Sequence, residues 1–147
     1  MSVVINFKQP HTTRERWVLV LHTLEPINSH EMAAVELNSE YLGVASIQLM
    51  ENAGCAVASE IAKRFRCGEA RVAILAGTGG KGGDGMVAAR HLADRGFELS
   101  FLLIGRADEI RMEAVKKNWG ALELMCDRVT ISVVDDSSHL HSIREEV

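Results

Sequence analysis

The sequence has little of several features that define large classes of proteins. It contains only two prolines against twelve glycines, and with 47% hydrophobic residues this composition argues against a disordered chain. No apolar run reaches the roughly 18 residues that a membrane-spanning helix needs. Acidic residues outnumber basic ones, and the net charge of −4 leaves no basic footprint for nucleic acid. We therefore expect one globular domain that binds neither nucleic acid nor membrane.

Cysteine is also scarce, and its pattern excludes two kinds of site. Cys55, Cys67 and Cys126 are odd in number and far apart, and no Cys-x-x-Cys or Cys/His ligand spacing occurs. This indicates a reducing compartment and no structural zinc. Residues 17–24 (WVLVLHTL) resemble a signal peptide only weakly, because His22 interrupts them and no small-residue cleavage site follows. We expect a cytoplasmic protein.

The chain divides into an N-terminal extension, residues 1–26, and a domain, residues 27–147. The extension alternates poorly and is either loosely attached or adds residues 17–24 to a sheet as an edge strand. The domain opens with two predicted helices. Ser29 caps the first, which Gly43 closes, and Ser46 caps the second, which Gly68 ends.

Strands and helices then alternate. Three apolar runs of strand length are residues 71–77 (RVAILAG), 97–105 (FELSFLLIG) and 129–135 (VTISVVD), and helices are predicted at residues 86–95, 108–125 and 137–147. The continuous apolar run of the first strand predicts burial on both faces. In the helix predicted at residues 86–95, Val87 and Leu92 face inward, and Gly96 ends the helix. The inner face of the helix predicted at residues 108–125 is marked by Ile110, Ala114, Trp119 and Leu122. The alternation predicts an open parallel sheet with helices on both faces.

A glycine-rich segment, residues 76–85 (AGTGGKGGDG), joins the first strand to the next helix. Glycines there permit positive φ and close approach to the backbone, and the helix N-terminus favours a phosphate. Gly77, Gly79 and Gly82 fit G-x-G-x-x-G, but Arg106 stands where that fingerprint needs an acid. A P-loop is excluded, because Lys81 is followed by glycine rather than by serine or threonine.

Asp84 is unusual for a pyrophosphate site. It lies directly before the predicted helix, where aspartate is a good N-cap. Alternatively, its carboxylate accepts hydrogen bonds from a ligand's hydroxyl groups. One oxygen can serve each role, and both interpretations stay open.

Two segments together resemble a known family. Residues 77–105 (GTGGKGGDGMVAARHLADRGFELSFLLIG) are similar to the signature of the YjeF N-terminal domain family, the NAD(P)H-hydrate epimerases, and residues 29–54, with "MENAG", resemble its two opening helices. The likeness runs from about Ile27 to the C-terminus and is strongest to archaeal members, which are often fused to an ADP/ATP-dependent NAD(P)H-hydrate dehydratase.

The resemblance implies a Rossmann-like three-layer α/β/α fold and a cofactor-repair reaction. Family members interconvert the R and S epimers of hydrated NADH and NADPH, are usually homodimers and bind a potassium ion. The residues expected to contact the hydrated dinucleotide are Gly80, Lys81, Gly82, Gly83 and Asp84. Asn52 is a further candidate, with a buried hydrogen bond between helices as the alternative.

Lys81 departs from the family pattern, which places a potassium-binding asparagine there. An ammonium group only donates hydrogen bonds and cannot coordinate potassium. We expect the Lys81 ammonium to occupy or neighbour the cation site and to replace the charge of the ion. The alternative is that Lys81 points into solvent or meets a substrate phosphate.

The family's catalytic aspartate follows a further strand, which we expect beyond Val147, so the domain is interpreted as C-terminally truncated and its sheet as incomplete. Neither Asp135 nor Asp136 matches that aspartate. If the product ends at Val147, we expect negligible epimerase activity from it. The alternative functions are a catalytically inactive nucleotide-binding or protein-interaction module and an ordinary Rossmann dehydrogenase domain, against which the Arg106 and Asp84 positions count.

Other polar residues suit structural roles better than chemical ones. His91 would need a partner to act as a general base and otherwise packs or faces solvent. Cys55 is interpreted as a small core residue. His139 and His141 are two apart, which does not place them on one helix face, and both are interpreted as solvated.

Overall fold

The computed structural model describes residues 27–68 and 71–136. The chain separates into two compact units, Met1–Val35 and Glu36–Val147. The elements, in chain order, are α1 (Ser29–Tyr41), α2 (Ser46–Arg64), β1 (Arg71–Gly77), α3 (Gly80–Asp94), β2 (Glu98–Ile104), a 3-10 turn (Ala107–Glu109), α4 (Glu113–Glu123) and β3 (Val129–Val134). The strand considered at residues 17–24 and the helix predicted at residues 137–147 lie outside the described residues.

The three strands form one parallel sheet in the order β1-β2-β3. Ile74 pairs with Phe101, and Phe101 with Ile131, so the strands lie in register. Helices α3 and α4 supply the crossovers that parallel neighbours require. The predicted Rossmann-like α/β fold with a parallel sheet is confirmed. All three strands end at the same edge of the sheet.

Helix α3 is the centre of the core. It packs against β1 and β2 and contacts both α2 and α4. The inward positions predicted for α3 and for the following helix are all buried, and Trp119 packs its ring 6.3 Å from that of Phe101, centroid to centroid. The largest fully buried side chains are Phe101, Met86, Leu92, Leu103, Ile110, Leu122, Val87, Val115 and Val129.

Strand β1 is not buried on both faces, so that prediction is wrong. Its side chains alternate, with Val72 and Ile74 packed against the core and Leu75 68% exposed. The alternation follows from strand geometry, because α3 covers the face that carries Ile74 and Ala76, and Leu75 points to the other face. A short apolar run alone does not distinguish one covered face from two.

The N-caps of α1 and α2 each lie one residue before the predicted cap. Asn28, not Ser29, caps α1, since its Oδ1 accepts hydrogen bonds from the backbone N–H groups of His30 and Glu31. The N-cap of α2 is Ala45, and Ser46 is its first residue. Gly43 and Gly96 follow their helices at positive φ (94° and 83°), as predicted for C-terminal glycines.

Within the described ranges 27–68 and 71–136, no helix combines the length and the apolarity that crossing a bilayer would take.

Candidate functional site

The glycine-rich segment lies at the carboxyl edge of the sheet. Strand β1 ends at Gly77 and α3 begins at Gly80, so only Thr78 and Gly79 connect them. Strands β2 and β3 end at the same edge, at Ile104 and Val134. In open parallel sheets ligands bind in the crevice at this edge.

Most of the segment is helix rather than loop. Helix α3 starts at Gly80, six residues before the predicted start at Met86, and Gly79 is its N-cap. Because glycine has a low helix propensity, the sequence does not predict this first turn of α3. The turn is helical because tertiary packing overrides the propensity. The first intrahelical hydrogen bond runs from Gly83 N to Gly79 O, 3.1 Å. The N–H groups of residues 80–82 precede it and therefore have no acceptor within the helix.

Gly82 and Gly83 serve close packing and not unusual dihedrals. Glycine permits positive φ, but no glycine of the segment adopts it: the described glycines with positive φ are Gly43, Gly68, Gly96 and Gly105. A Cβ atom on Gly82 would lie 1.7 Å from the carbonyl oxygen of Gly77, and one on Gly83 would lie 2.4 Å from Met50 Sδ. The backbone at the start of α3 therefore packs directly against the end of β1 and against helix α2.

Asp84 and Lys81 form a pair one helical turn apart. Asp84 is the fifth residue of α3, so the N-cap interpretation is wrong and Gly79 holds that position. Its side chain is only 21% exposed, whereas that of Lys81 is 91% exposed. Lys81 Nζ donates to Asp84 Oδ2 over 3.5 Å. The ammonium thus lies on the solvent side of a largely covered carboxylate.

The "MENAG" segment of α2 packs against this first part of α3. A Cβ on Gly54 would lie 2.6 Å from the backbone oxygen of Asp84, so α2 and α3 approach each other closely there. Met50 is buried beside Gly83. Asn52, a predicted substrate contact, is exposed on α2, so its alternative as a buried helix–helix hydrogen bond is wrong.

Glu51 makes the polar contacts between helices instead. Its Oε1 lies 2.7 Å from His91 Nε2, and its Oε2 accepts a hydrogen bond of 2.5 Å from Arg90 NH2. Arg90 also donates to Asn118 Oδ1 of α4 (3.0 Å), and the Asn118 amide donates to the backbone oxygen of Ala114. We call Glu51, Arg90, His91 and Asn118 the interhelix network. It gives His91 the partner that sequence reasoning did not find.

The network sets the ionisation of Glu51. Partial burial is the largest single influence and by itself raises the pKa of Glu51. The hydrogen bonds and positive charge supplied by His91 and Arg90 act in the opposite direction and together prevail, so that the pKa of Glu51 lies below its usual 4.5. Glu51 is therefore ionised at neutral pH and forms a charged pair with Arg90.

Arg106, at the end of β2, is held by an acid of its own loop. Its guanidinium donates to both carboxylate oxygens of Asp108, over 3.0 and 2.7 Å. These hydrogen bonds lower the pKa of Asp108 and raise that of Arg106.

Asp135 and Asp136 follow β3 at the same edge, and both are exposed. Among residues 27–68 and 71–136, no three histidine, cysteine or acidic side chains gather as metal ligands would.

The chain is similar to known proteins. The family model described as "YjeF-related protein N-terminus" matches residues 46–145. The bifunctional NAD(P)H-hydrate repair enzyme Nnr of Methanothermobacter thermautotrophicus is 48% identical over 113 residues, which cover 75% of this chain and 21% of the relative. The NAD(P)H-hydrate epimerase of Cenarchaeum symbiosum is 42% identical over 99 residues, 67% of this chain and 46% of that protein.

The fold is similar to a solved structure as well. The crystal structure of the yeast protein YNL200c matches with a TM-score of 0.66 at 28% identity, covering 80% of this chain and 51% of the yeast chain. The chain spans less than half the length of the two archaeal relatives. Of the two segments that carried the resemblance, the family match includes residues 77–105 whole and, of residues 29–54, the part from residue 46 on, which contains "MENAG". The chain belongs to the family of YjeF-related protein N-terminal domains.

Proposed function

We propose that this domain binds hydrated NADH or NADPH and supplies the substrate-binding part of an NAD(P)H-hydrate epimerase, which interconverts the R and S epimers. The observation that carries the proposal is the similarity to relatives named for this chemistry, the Cenarchaeum epimerase and the bifunctional repair enzymes. The glycine-rich start of α3 at the ligand edge of the sheet supports it.

The chemistry of the α3 start suits a dinucleotide. The N–H groups of residues 80–82 lie at the N-terminus of α3, the positive end of the helix dipole, and can donate hydrogen bonds to phosphate oxygens. Gly79, the N-cap, carries no side chain that would hold the ligand away from the backbone, and a Cβ there would meet nothing within 4 Å. The Asp84 carboxylate only accepts hydrogen bonds, so it suits hydroxyl groups of the ribose or of the hydrated ring.

The proposal extends to the compartment, the fused domain and the oligomeric state of the protein. The free cysteines Cys55, Cys67 and Cys126 fit the cytoplasm, where thiols stay reduced. Relatives named bifunctional repair enzymes support a dehydratase domain as a partner in a longer product. We further propose a homodimer, which sedimentation of the purified protein can test.

Replacing Asp84 with asparagine is expected to weaken the binding of NADH hydrate about tenfold, because one charge-assisted hydrogen bond to a ligand hydroxyl is lost. Isothermal titration calorimetry measures the dissociation constant directly. Asp94→Asn is the matched control, since Asp94 is an exposed aspartate at the other end of α3. Equal affinities for the Asp84→Asn variant and the native protein would remove Asp84 from the binding site.

Turnover separates binding from catalysis. The purified 147-residue protein is mixed with the R epimer of NADH hydrate, and formation of the S epimer is followed by chromatography. We expect binding without turnover, because neither Asp135 nor Asp136, which follow β3, matches the catalytic aspartate of the family. Turnover at a rate that matches a full-length epimerase contradicts that expectation, and absence of both binding and turnover contradicts the proposed function.

A further inference from the structure

The start of α3 places a positive charge where helix electrostatics disfavours one. Lys81 is the second residue of the helix, and cations near a helix N-terminus are destabilising. Its partner Asp84 lies three residues on, with Nζ 3.5 Å from Oδ2. An ion pair whose lysine is 91% exposed contributes little to folding. The stability of the fold therefore does not explain a lysine at this position.

A potassium ion does not fit this turn. Potassium needs several oxygen ligands, and an ammonium group offers none. An ion bound to the Asp84 carboxylate would also lie within a few ångströms of the Lys81 ammonium, and the two like charges would repel each other.

We propose that the Lys81 ammonium is the built-in cation of this site, so that the domain binds its nucleotide without potassium. The inference rests on the proposed function and deepens it. Asp84 by itself repels a diphosphate that approaches the N–H groups of residues 80–82. The ammonium beside it cancels that repulsion while one carboxylate oxygen, Oδ1, stays free of Lys81 to accept from a ligand hydroxyl.

The first experiment measures the affinity for NADH hydrate by calorimetry in tetramethylammonium chloride and in potassium chloride of equal ionic strength. The native protein is expected to bind equally in both. Lys81→Asn should bind about tenfold more weakly in tetramethylammonium chloride and recover in potassium chloride, because asparagine offers an oxygen ligand. Lys81→Met should stay weak in both. Lys116→Met, an exposed lysine of α4, is the control that should change nothing.

A second experiment needs no nucleotide and so separates this inference from the proposed function. Thallium(I), which replaces potassium in protein sites, is titrated against the protein and followed by its NMR signal. We expect no saturable binding to the native protein, and saturable binding to Lys81→Asn that a further Asp84→Asn change abolishes. Saturable binding to the native protein, a potassium requirement for its nucleotide affinity, or native affinity in Lys81→Met each overturns the inference.

Discussion

Replacing Gly82 with alanine is expected to destabilise the domain by about 3 kcal/mol, at the upper end of what overpacking costs. The new Cβ would lie 1.7 Å from the carbonyl oxygen of Gly77 and 2.8 Å from its carbon. Both are backbone atoms, which cannot move aside as a flexible side chain can. Relief requires that α3 separate from the end of β1, which disrupts the candidate site. Thermal unfolding should show a melting temperature lower by roughly 10 °C.

Two other glycines make this prediction specific. Gly120→Ala in α4 is the matched control, since its Cβ would meet nothing within 4 Å, and alanine should stabilise that helix by about 0.5–1 kcal/mol. Gly83→Ala should fall between the two, because its nearest clash is with the end of the flexible Met50 side chain. Equal melting temperatures for Gly82→Ala and Gly120→Ala would show that α3 does not touch β1 as described.

The sheet and much of the core could be predicted because they depend on local patterns. The runs that form β1, β2 and β3 are apolar and bounded by helix signals, and the inner face of α4 repeats with helical spacing. The end of α3 was equally clear, since Gly96 adopts the positive φ that glycine tolerates.

The start of α3 and the interhelix network could not be predicted, for different reasons. Glycine propensity argues against the helical turn at Gly80–Gly85, and only its contacts with Gly77 and Met50 reveal why those glycines are needed. Glu51 and His91 are forty residues apart in sequence, so their contact depends on how α2 packs on α3. The available signal was the position of Glu51 within "MENAG", a segment that the family resemblance had already singled out.

Replacing Glu51 with alanine is expected to destabilise the domain by about 2 kcal/mol. The change removes the acceptor for both Arg90 and His91 and leaves the guanidinium, 23% exposed, with Asn118 as the partner that remains in the interhelix network. Hydrogen bonds to charged groups contribute about 1.5–3 kcal/mol each, and the 41% exposure of the Glu51 side chain reduces that value because water can take its place. Urea unfolding at pH 7 measures the loss.

A matched control and a pH series distinguish the network from a generic loss of charge. Glu60→Ala removes a glutamate from the same helix whose partners, Arg64 and Lys63, are exposed, and it should leave the unfolding midpoint unchanged. Because the folded pKa of Glu51 lies below 4.5, its contribution is complete above that pH and is lost as the pH falls through the folded value. The stability difference between the native protein and Glu51→Gln should therefore shrink in acid below pH 4.5. A difference that stays constant across that range, or an equal loss in Glu60→Ala, would mean that Glu51 does not link α2 to α3 through its charge.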